Sequence, residues 1–262
     1  MARRAAIPAG LLLALSVAGL AACSPAGNEL TSDRVQESTR PAIAPGDFVL
    51  LPCKAETDRP CAFVMAGGKR LMFGAPAGAA NGLGPEDRAS LDALMLFSLH
   101  PEDVAGADEL RYYGWRAGRG DALPVTGPQG TGSFVEGLNL AYEQPDAISF
   151  VEDGAPSGGY VAALLSVASD VREDALVYDS GDLKVRAMTG QASGLAYRVG
   201  YRDIDETWHE ALLVPCSSSA DMQPGSYPGT LENTVTVGCG GDGELAAVWP
   251  LDAALFVEKS SG

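Results

Sequence analysis

A short apolar run that ends abruptly in polar side chains constrains the fold of this chain more than any other feature. The run covers residues 91–97, which is long enough for a buried strand and too short for most helices. A hydroxyl, an imidazole and two carboxylates follow it, on Ser98, His100, Glu102 and Asp103. Apolar residues then return at helical spacing from Val104. Because α/β proteins usually place their chemistry where a strand opens onto a loop and a helix, the sequence predicts a site at residues 98–103.

The first 22 residues are typical of an export signal that is not part of the folded domain. Arg3 and Arg4 precede a long, nearly unbroken apolar stretch. The stretch ends in Leu-Ala-Ala-Cys, which resembles the lipobox of bacterial lipoproteins and predicts that Cys23 is acylated and holds the protein to a membrane. The alternative is an ordinary secretory signal cut nearby, which would leave Cys23 as a free thiol. Ser24 is not an inner-membrane retention aspartate, so the outer membrane is the expected location, on its periplasmic face or at the cell surface.

Composition divides the rest of the chain into a tether and a domain. Residues 23–45 are polar and predict a flexible tether. Residues 46–262 predict one domain, since 46% of the chain is apolar and only 20% is charged. The 34 acidic and 18 basic residues give a net charge of −16. Such a surface repels phosphate backbones, so no nucleic-acid partner is expected, and the sequence identifies no particular protein or small-molecule partner.

Four cysteines follow the predicted lipidation site, which is an even number in an oxidising compartment. Three pairings are possible. Cys53 and Cys61 flank a polar, turn-like loop, which favours their local pairing and leaves Cys216 to pair with Cys239. A zinc site built from the four is the weaker reading, because neither pair has a C-x₂-C spacing.

Short apolar runs separated by turn residues predict strands over most of the domain. The predicted strands are 47–51, 62–66, 69–73, 91–97, 123–126, 147–151, 160–167, 175–179, 183–189, 196–201, 209–214, 234–238 and 252–257. Gly67-Gly68 is a strong hairpin signal, and helices are predicted from Val104 and over residues 131–142. This pattern favours two packed sheets flanked by helices. Residues 111–120 are basic and aromatic, and they are either a partner surface or ordinary packing at a helix end.

Five segments, taken in order, resemble the metallo-β-lactamase superfamily on its ribonuclease Z and arylsulfatase side. They are residues 69–78, 91–115, 124–131, 183–201 and 235–242, within a resemblance that covers about residues 47–258. The second resembles the family's lDavlLSHlHpDHvaGLpeL, and the third resembles its PvyGPpGT turn. The resemblance implies an α+β fold, a four-layer αββα sandwich of two mixed sheets. It also implies that the sandwich is incomplete at the C-terminus, because the strand that supplies the last family histidine would follow Gly262.

The family's chemistry uses two metal ions, commonly zinc, which ionise a bridging water that attacks an ester. Its His-x-His-x-Asp-His signature aligns with Ser98, His100, Glu102 and Asp103. Of these, only His100 matches, and Gln191 replaces the next histidine. Asp242 matches the carboxylate that bridges the two metals, so two of seven ligand positions remain. The other histidine, His209, lies at no ligand position and is expected at a sheet edge.

This ligand count implies a scaffold without a dinuclear zinc centre. His100 and Asp242 are the remaining candidate metal ligands, and with Glu102 and Asp103 they are the candidate catalytic residues. The four could still hold a single divalent cation such as Ca²⁺ or Mn²⁺. Without a metal, clustered carboxylates must hold protons or find basic partners.

Three hypotheses follow for the function. The first is a lipid-anchored pseudoenzyme that acts by binding. The second is a hydrolase of phosphate or sulfate esters or lactones, with a rebuilt single-metal site. The third is a decayed or truncated relative without a selected role, which the missing terminal strand motivates.

Overall fold

The computed structural model describes residues 41–190, 194–216, 234–240 and 245–260. The predicted export signal, the lipidation site at Cys23 and most of the predicted tether lie outside these ranges, as do Gln191 and Asp242. In the part of the chain that is described, no helix combines the length and the apolar character needed to cross a membrane.

Thirteen strands in the described ranges form two sheets. In chain order they are β1 (Phe48–Pro52), β2 (Ala62–Ala66), β3 (Lys69–Phe73), β4 (Ala93–Met95), β5 (Leu123–Pro128), β6 (Leu165–Val171), β7 (Ala175–Asp179), β8 (Leu183–Thr189), β9 (Leu195–Arg202), β10 (Trp208–Leu213), β11 (Val235–Gly238), β12 (Ala247–Val248) and β13 (Leu255–Glu258). The first sheet has the order β13-β1-β2-β3-β4-β5-β6, and the second has the order β12-β11-β10-β9-β8-β7. Both sheets are mixed: β3 to β6 run parallel, β10 to β12 run parallel, and the remaining pairs are antiparallel.

The helices follow strands of the first sheet. They are α1 (Pro85–Ala89), α2 (Pro101–Val104), α3 (Ala107–Arg116) and α4 (Thr131–Glu152), with short 3₁₀ turns at Ala79–Gly82 and Val161–Ala163. Ala107 and Leu110 of α3 and Val135 of α4 are buried in one apolar cluster with residues of β1 to β6. This cluster fixes the two longer helices on the outer face of the first sheet.

The main core lies between the two sheets. The rings of Phe73 and Phe97, on the side of the first sheet, contact Tyr197 of β9 edge to face, with centroids 5.3 and 5.6 Å from that of Tyr197. Trp249 extends this cluster through its contact with Phe97. A smaller buried cluster on the second sheet consists of Met188, Ala196, Leu212 and Val214. The predicted α+β fold with two mixed sheets is therefore confirmed.

The hairpin and both disulfides are also confirmed. Gly67 and Gly68 adopt positive φ angles of 56° and 74° between β2 and β3, a region that favours glycine. Cys53 is bonded to Cys61 and Cys216 to Cys239.

The predictions for residues 131–167 were partly wrong. Residues 147–151 are not a strand, because α4 continues through them and through Pro145. The apolar run there packs against α3: the Phe150 ring stacks on the ring of Trp115, with centroids 6.4 Å apart. Residues 161–163 of the strand predicted at 160–167 form a 3₁₀ turn, and β6 begins only at Leu165.

Candidate functional site

The predicted site lies at the carboxyl ends of the parallel strands β3 to β6. The chain leaves β4 through Leu96 and Phe97, and the second sheet holds both backbone carbonyls. The amide of Leu195 donates to the carbonyl of Phe97 at 2.7 Å, and the buried hydroxyl of Tyr197 donates to that of Leu96 at 2.7 Å. Residues 98–103 therefore start from a position fixed by both sheets.

Asp103 is the centre of a hydrogen-bond network at this edge. Its side chain is only 14% exposed. One carboxylate oxygen accepts a hydrogen bond from the Ser98 hydroxyl, and the other accepts from Nε of Arg59 at 2.6 Å. Its backbone carbonyl accepts from the amide of Ala75 at 3.1 Å, which connects the start of α2 to the turn after β3. Both carboxylate oxygens of Asp103 are thus engaged within the protein.

The other two signature positions face solvent. His100 precedes α2, its side chain is exposed, and its backbone amide donates to Oγ of Ser98 at 3.0 Å. The side chain of Glu102 is 65% exposed, and its carboxylate lies 3.8 Å from Nη1 of Arg59. The structure therefore brings Ser98 and Asp103 together and leaves His100 and Glu102 at the rim.

Arg59 is the residue that sequence reasoning missed. It lies in the loop that the Cys53–Cys61 disulfide closes, 44 positions before Asp103 in the chain. The hydrogen bond to Asp103 is the main reason why the pKa of the Arg59 guanidinium is raised above its ordinary value. The guanidinium is the basic partner that clustered carboxylates without a metal were expected to need.

Asp170, at the end of β6, was also missed. Its Oδ1 accepts from the amide of Gly130 at 3.1 Å, immediately before α4. A carboxylate at this position stabilises the start of a helix, where the peptide dipoles present partial positive charge.

The donor set in the described residues does not match two zinc ions. Ser98 offers a neutral hydroxyl, which is a poor zinc ligand, and Asp103 faces a guanidinium. Within the described ranges, no three His, Cys, Asp or Glu side chains are grouped closely enough to hold a metal. Gln191 and Asp242 lie outside the described residues.

Residues 111–120 are mainly structural. Trp115 is fully buried, and its indole N–H donates to the carbonyl of Gly159 at 2.8 Å. Arg119 is also buried and donates to carbonyls of α3, and burial lowers its pKa to about 10. Of this segment, the rings of Tyr112 and Tyr113 remain accessible beside α4.

His209 is placed away from the predicted site. It lies on β10 opposite Tyr201 of β9. It precedes Ala211, the residue at which the pairing of β10 with β11 begins. Its Nε2 lies 2.7 Å from Asp203 and its Nδ1 lies 3.2 Å from Glu258. The contact with Glu258 joins the second sheet to β13 of the first.

Comparisons with known proteins find similarity to several solved structures. No protein-family model matches the chain, and no curated protein matches it at a significant level. The chain is similar to the short form of human tRNase Z, with 10% identity, a TM-score of 0.45 and coverage of 68% of this chain and 71% of that one. It is also similar to the metallo-β-lactamase fold protein YhfI from Bacillus subtilis, with 14% identity, a TM-score of 0.46 and coverage of 74% and 72%. A diphosphatase from the PhnP family gives 12% identity, a TM-score of 0.44 and coverage of 68% of each chain.

Proposed function

We propose that this chain is a membrane-anchored lipoprotein with a metallo-β-lactamase-like fold, and that it acts by binding rather than by catalysis. The observation that carries the proposal is the position of Arg59. Its guanidinium donates to Asp103 at 2.6 Å and lies 3.8 Å from Glu102, at two of the signature positions.

The charge of Arg59 disfavours a metal ion at this edge. A divalent cation on Asp103 would have to displace a charge-assisted hydrogen bond and then remain close to a guanidinium. Ser98 would contribute only a hydroxyl in place of an imidazole. The loss of strong ligands at these positions supports a scaffold that has kept the fold and not the dinuclear centre.

The alternative function is a hydrolase with a rebuilt site for one cation. His100 and Glu102 favour it, because both side chains face solvent and are open to a ligand. With Asp242 they would hold a cation, and Glu102 or Asp103 would act as the base. Phosphate and sulfate esters and lactones are its candidate substrates.

Metal content and activity separate the two functions. The purified full chain from metal-replete medium is analysed by mass spectrometry for zinc, manganese and calcium. It is then assayed on esterase and phosphodiesterase panels with each cation added separately. We expect no tightly bound metal and no activity. Two zinc ions per chain would overturn the proposal. Cation-dependent activity that disappears in His100→Ala and Asp242→Ala would establish the hydrolase instead.

A variant tests the role of Arg59 directly. Arg59→Met removes the guanidinium and keeps an unbranched side chain, so Asp103 and Glu102 become available to a cation. We expect the variant to bind Mn²⁺ more tightly than the parent protein, as measured by titration calorimetry. Arg202→Met is the matched control, because Arg202 at the end of β9 pairs with an exposed aspartate, Asp182, in the turn between β7 and β8. Equal Mn²⁺ binding by the parent and Arg59→Met would contradict the argument from charge.

The membrane anchor has its own test. Cys23→Ser removes the thiol that acylation requires, so the variant should move from the membrane fraction to the soluble fraction of the producing cells. An unchanged distribution would refute lipidation at Cys23 without affecting the argument about the site.

A further inference from the structure

A cavity of about 300 Å³ lies between α3 and α4. Three carboxylates and three aromatic rings dominate its lining: Asp108, Glu109, Asp146, Tyr112, Tyr113 and Tyr142. On α3 these residues recur four positions apart, and on α4 Tyr142 and Asp146 do the same, so each helix presents one face to the cavity. Among the described residues that line it, none is a lysine or an arginine.

One of the three carboxylates is neutralised by a buried arginine. Asp146 is buried, and both of its oxygens accept from Arg111, at 2.5 and 3.0 Å. This buried pair is bonded further to the carbonyl of Ala163, so it belongs to the structural framework of α3 and α4.

The other two carboxylates accept hydrogen bonds from neutral donors. Asp108 accepts from the hydroxyl of Tyr142 at 2.6 Å, and Glu109 accepts from the amide of Gly78 at 3.1 Å. In the described part of the chain, neither forms an ion pair with a basic side chain. Burial, together with the charges of Asp108 and Glu56, raises the pKa of Glu109, as expected for a carboxylate without a cationic partner.

Two of the three rings of this cavity already lie against arginines of the protein. The guanidinium carbon of Arg88 lies 5.2 Å from the ring centre of Tyr113, and that of Arg111 lies 4.5 Å from the ring centre of Tyr142. Tyr112 lies edge to face with Tyr113, with centroids 5.8 Å apart. Aromatic faces combined with uncompensated carboxylates are the surroundings that an organic ammonium ion prefers.

We propose that this cavity is a binding site for a small organic ammonium ion, such as a quaternary amine. The ammonium group lies against the tyrosine rings, and Asp108 and Glu109 balance its charge. A phosphate next to the ammonium group would be repelled by the same two carboxylates, so the ligand is a free amine and not a phospholipid headgroup. This site is independent of the proposed function at the ends of β3 to β6.

Binding to the full chain tests the proposal. Choline is titrated by calorimetry, and its neutral isostere 3,3-dimethyl-1-butanol, potassium chloride and phosphatidylcholine vesicles are titrated in parallel. We expect binding of choline, with saturation transfer from tyrosine ring protons to its methyl protons. The isostere and potassium should bind at least about tenfold more weakly, since the isostere lacks the positive charge and potassium lacks the methyl groups that contact the rings. No binding of choline, or equal binding of the isostere or of potassium, overturns the proposal, and preferential binding to the vesicles overturns the choice of a free amine.

Variants locate the bound ion. The double variant Asp108→Asn and Glu109→Gln keeps both hydrogen-bond acceptors and removes both charges, and it should weaken choline binding about tenfold or more. Tyr112→Leu should weaken it about two- to fivefold, the range for one cation–π contact. The control, Glu136→Gln with Glu152→Gln, changes the net charge equally on exposed positions of α4 and should leave binding unchanged. If the control weakens binding as much as the Asp108 and Glu109 variant does, the attraction is general and the assigned site is wrong.

Discussion

The contact between Arg59 and Asp103 should contribute measurably to stability, and a double-mutant cycle can isolate it. The side chain of Asp103 is 14% exposed and that of Arg59 is 29% exposed, so the pair is neither fully solvated nor deeply buried. A hydrogen bond to a charged group contributes about 1.5–3 kcal/mol, and an exposed ion pair contributes about 0–1 kcal/mol. For this pair we expect a value of about 2 kcal/mol, towards the lower part of the first range.

The single variants are Arg59→Met and Asp103→Asn. Each should lower the free energy of unfolding by about 2 kcal/mol, because each leaves a partly buried partner without its hydrogen bond. For a domain of this size, that loss lowers Tm by about 4–8 °C. The double variant loses less than the sum of the two, and we expect a coupling energy of about 1–2 kcal/mol. Urea unfolding followed by tryptophan fluorescence gives all four values.

The matched control is the exposed pair of Arg202 and Asp182, whose side chains are 40% and 60% exposed. The cycle of Arg202→Met and Asp182→Asn should give a coupling energy below about 0.5 kcal/mol, as is usual for solvated pairs. Additive effects at Arg59 and Asp103, or a coupling no larger than in this control, would refute the reasoning that Arg59 holds the loop against α2.

Three further changes have defined outcomes. Gly114→Ala should lower the free energy of unfolding by about 2–4 kcal/mol, because the added Cβ would overlap Nη1 of Arg119, and an unchanged Tm would contradict this. Tyr197→Phe should cost about 1–2 kcal/mol in urea unfolding, since it leaves a buried carbonyl unpaired, and a fully neutral effect would refute a role for the hydroxyl. The hydrogen bond from His209 lowers the pKa of Asp203 below 3.8, so its contribution to stability is full above that pH and disappears as pH falls through the folded-state value. Between pH 6 and pH 3, the free energy of unfolding of Asp203→Asn should therefore fall by less than that of the parent protein. Equal falls would contradict a stabilising role for the contact between Asp203 and His209.

The parts of the fold that depend on residues close together in the sequence could be predicted from it. Gly67-Gly68 specifies a hairpin because a tight turn requires positive φ angles, which glycine adopts without strain. The apolar run before Ser98 predicts a buried strand because its side chains need cover on both faces, and β4 is buried at every position.

The continuation of α4 could not be predicted in this way. An apolar run at 147–151 after Pro145 suits a strand as well as a helix when it is judged by local pattern alone. Contacts with α3 decide in favour of the helix, since Phe150 needs Trp115 and Asp146 needs Arg111, and both partners are more than 30 positions earlier.

The position of the candidate site could be predicted from the sequence, but the full set of residues that form it could not. The loop after β4 follows from the chain order, and the four polar side chains could be read directly. Arg59 could not be assigned to the site, because a polar loop closed by a disulfide gives no sign of the direction in which its arginine points. The general requirement that clustered carboxylates find a basic partner was the available signal, and it did not identify which residue supplies that partner.

The two hydrogen bonds from β9 to the end of β4 also determine when the site can form during folding. The carbonyls of Leu96 and Phe97 receive their partners from Tyr197 and Leu195, about a hundred positions later in the chain. Strands β1 to β6 of the first sheet precede β9 in the chain and can pair before β9 joins them, but the loop that follows β4 cannot yet be fixed. The final arrangement of the site is therefore a late event, which must wait for the second half of the domain to dock.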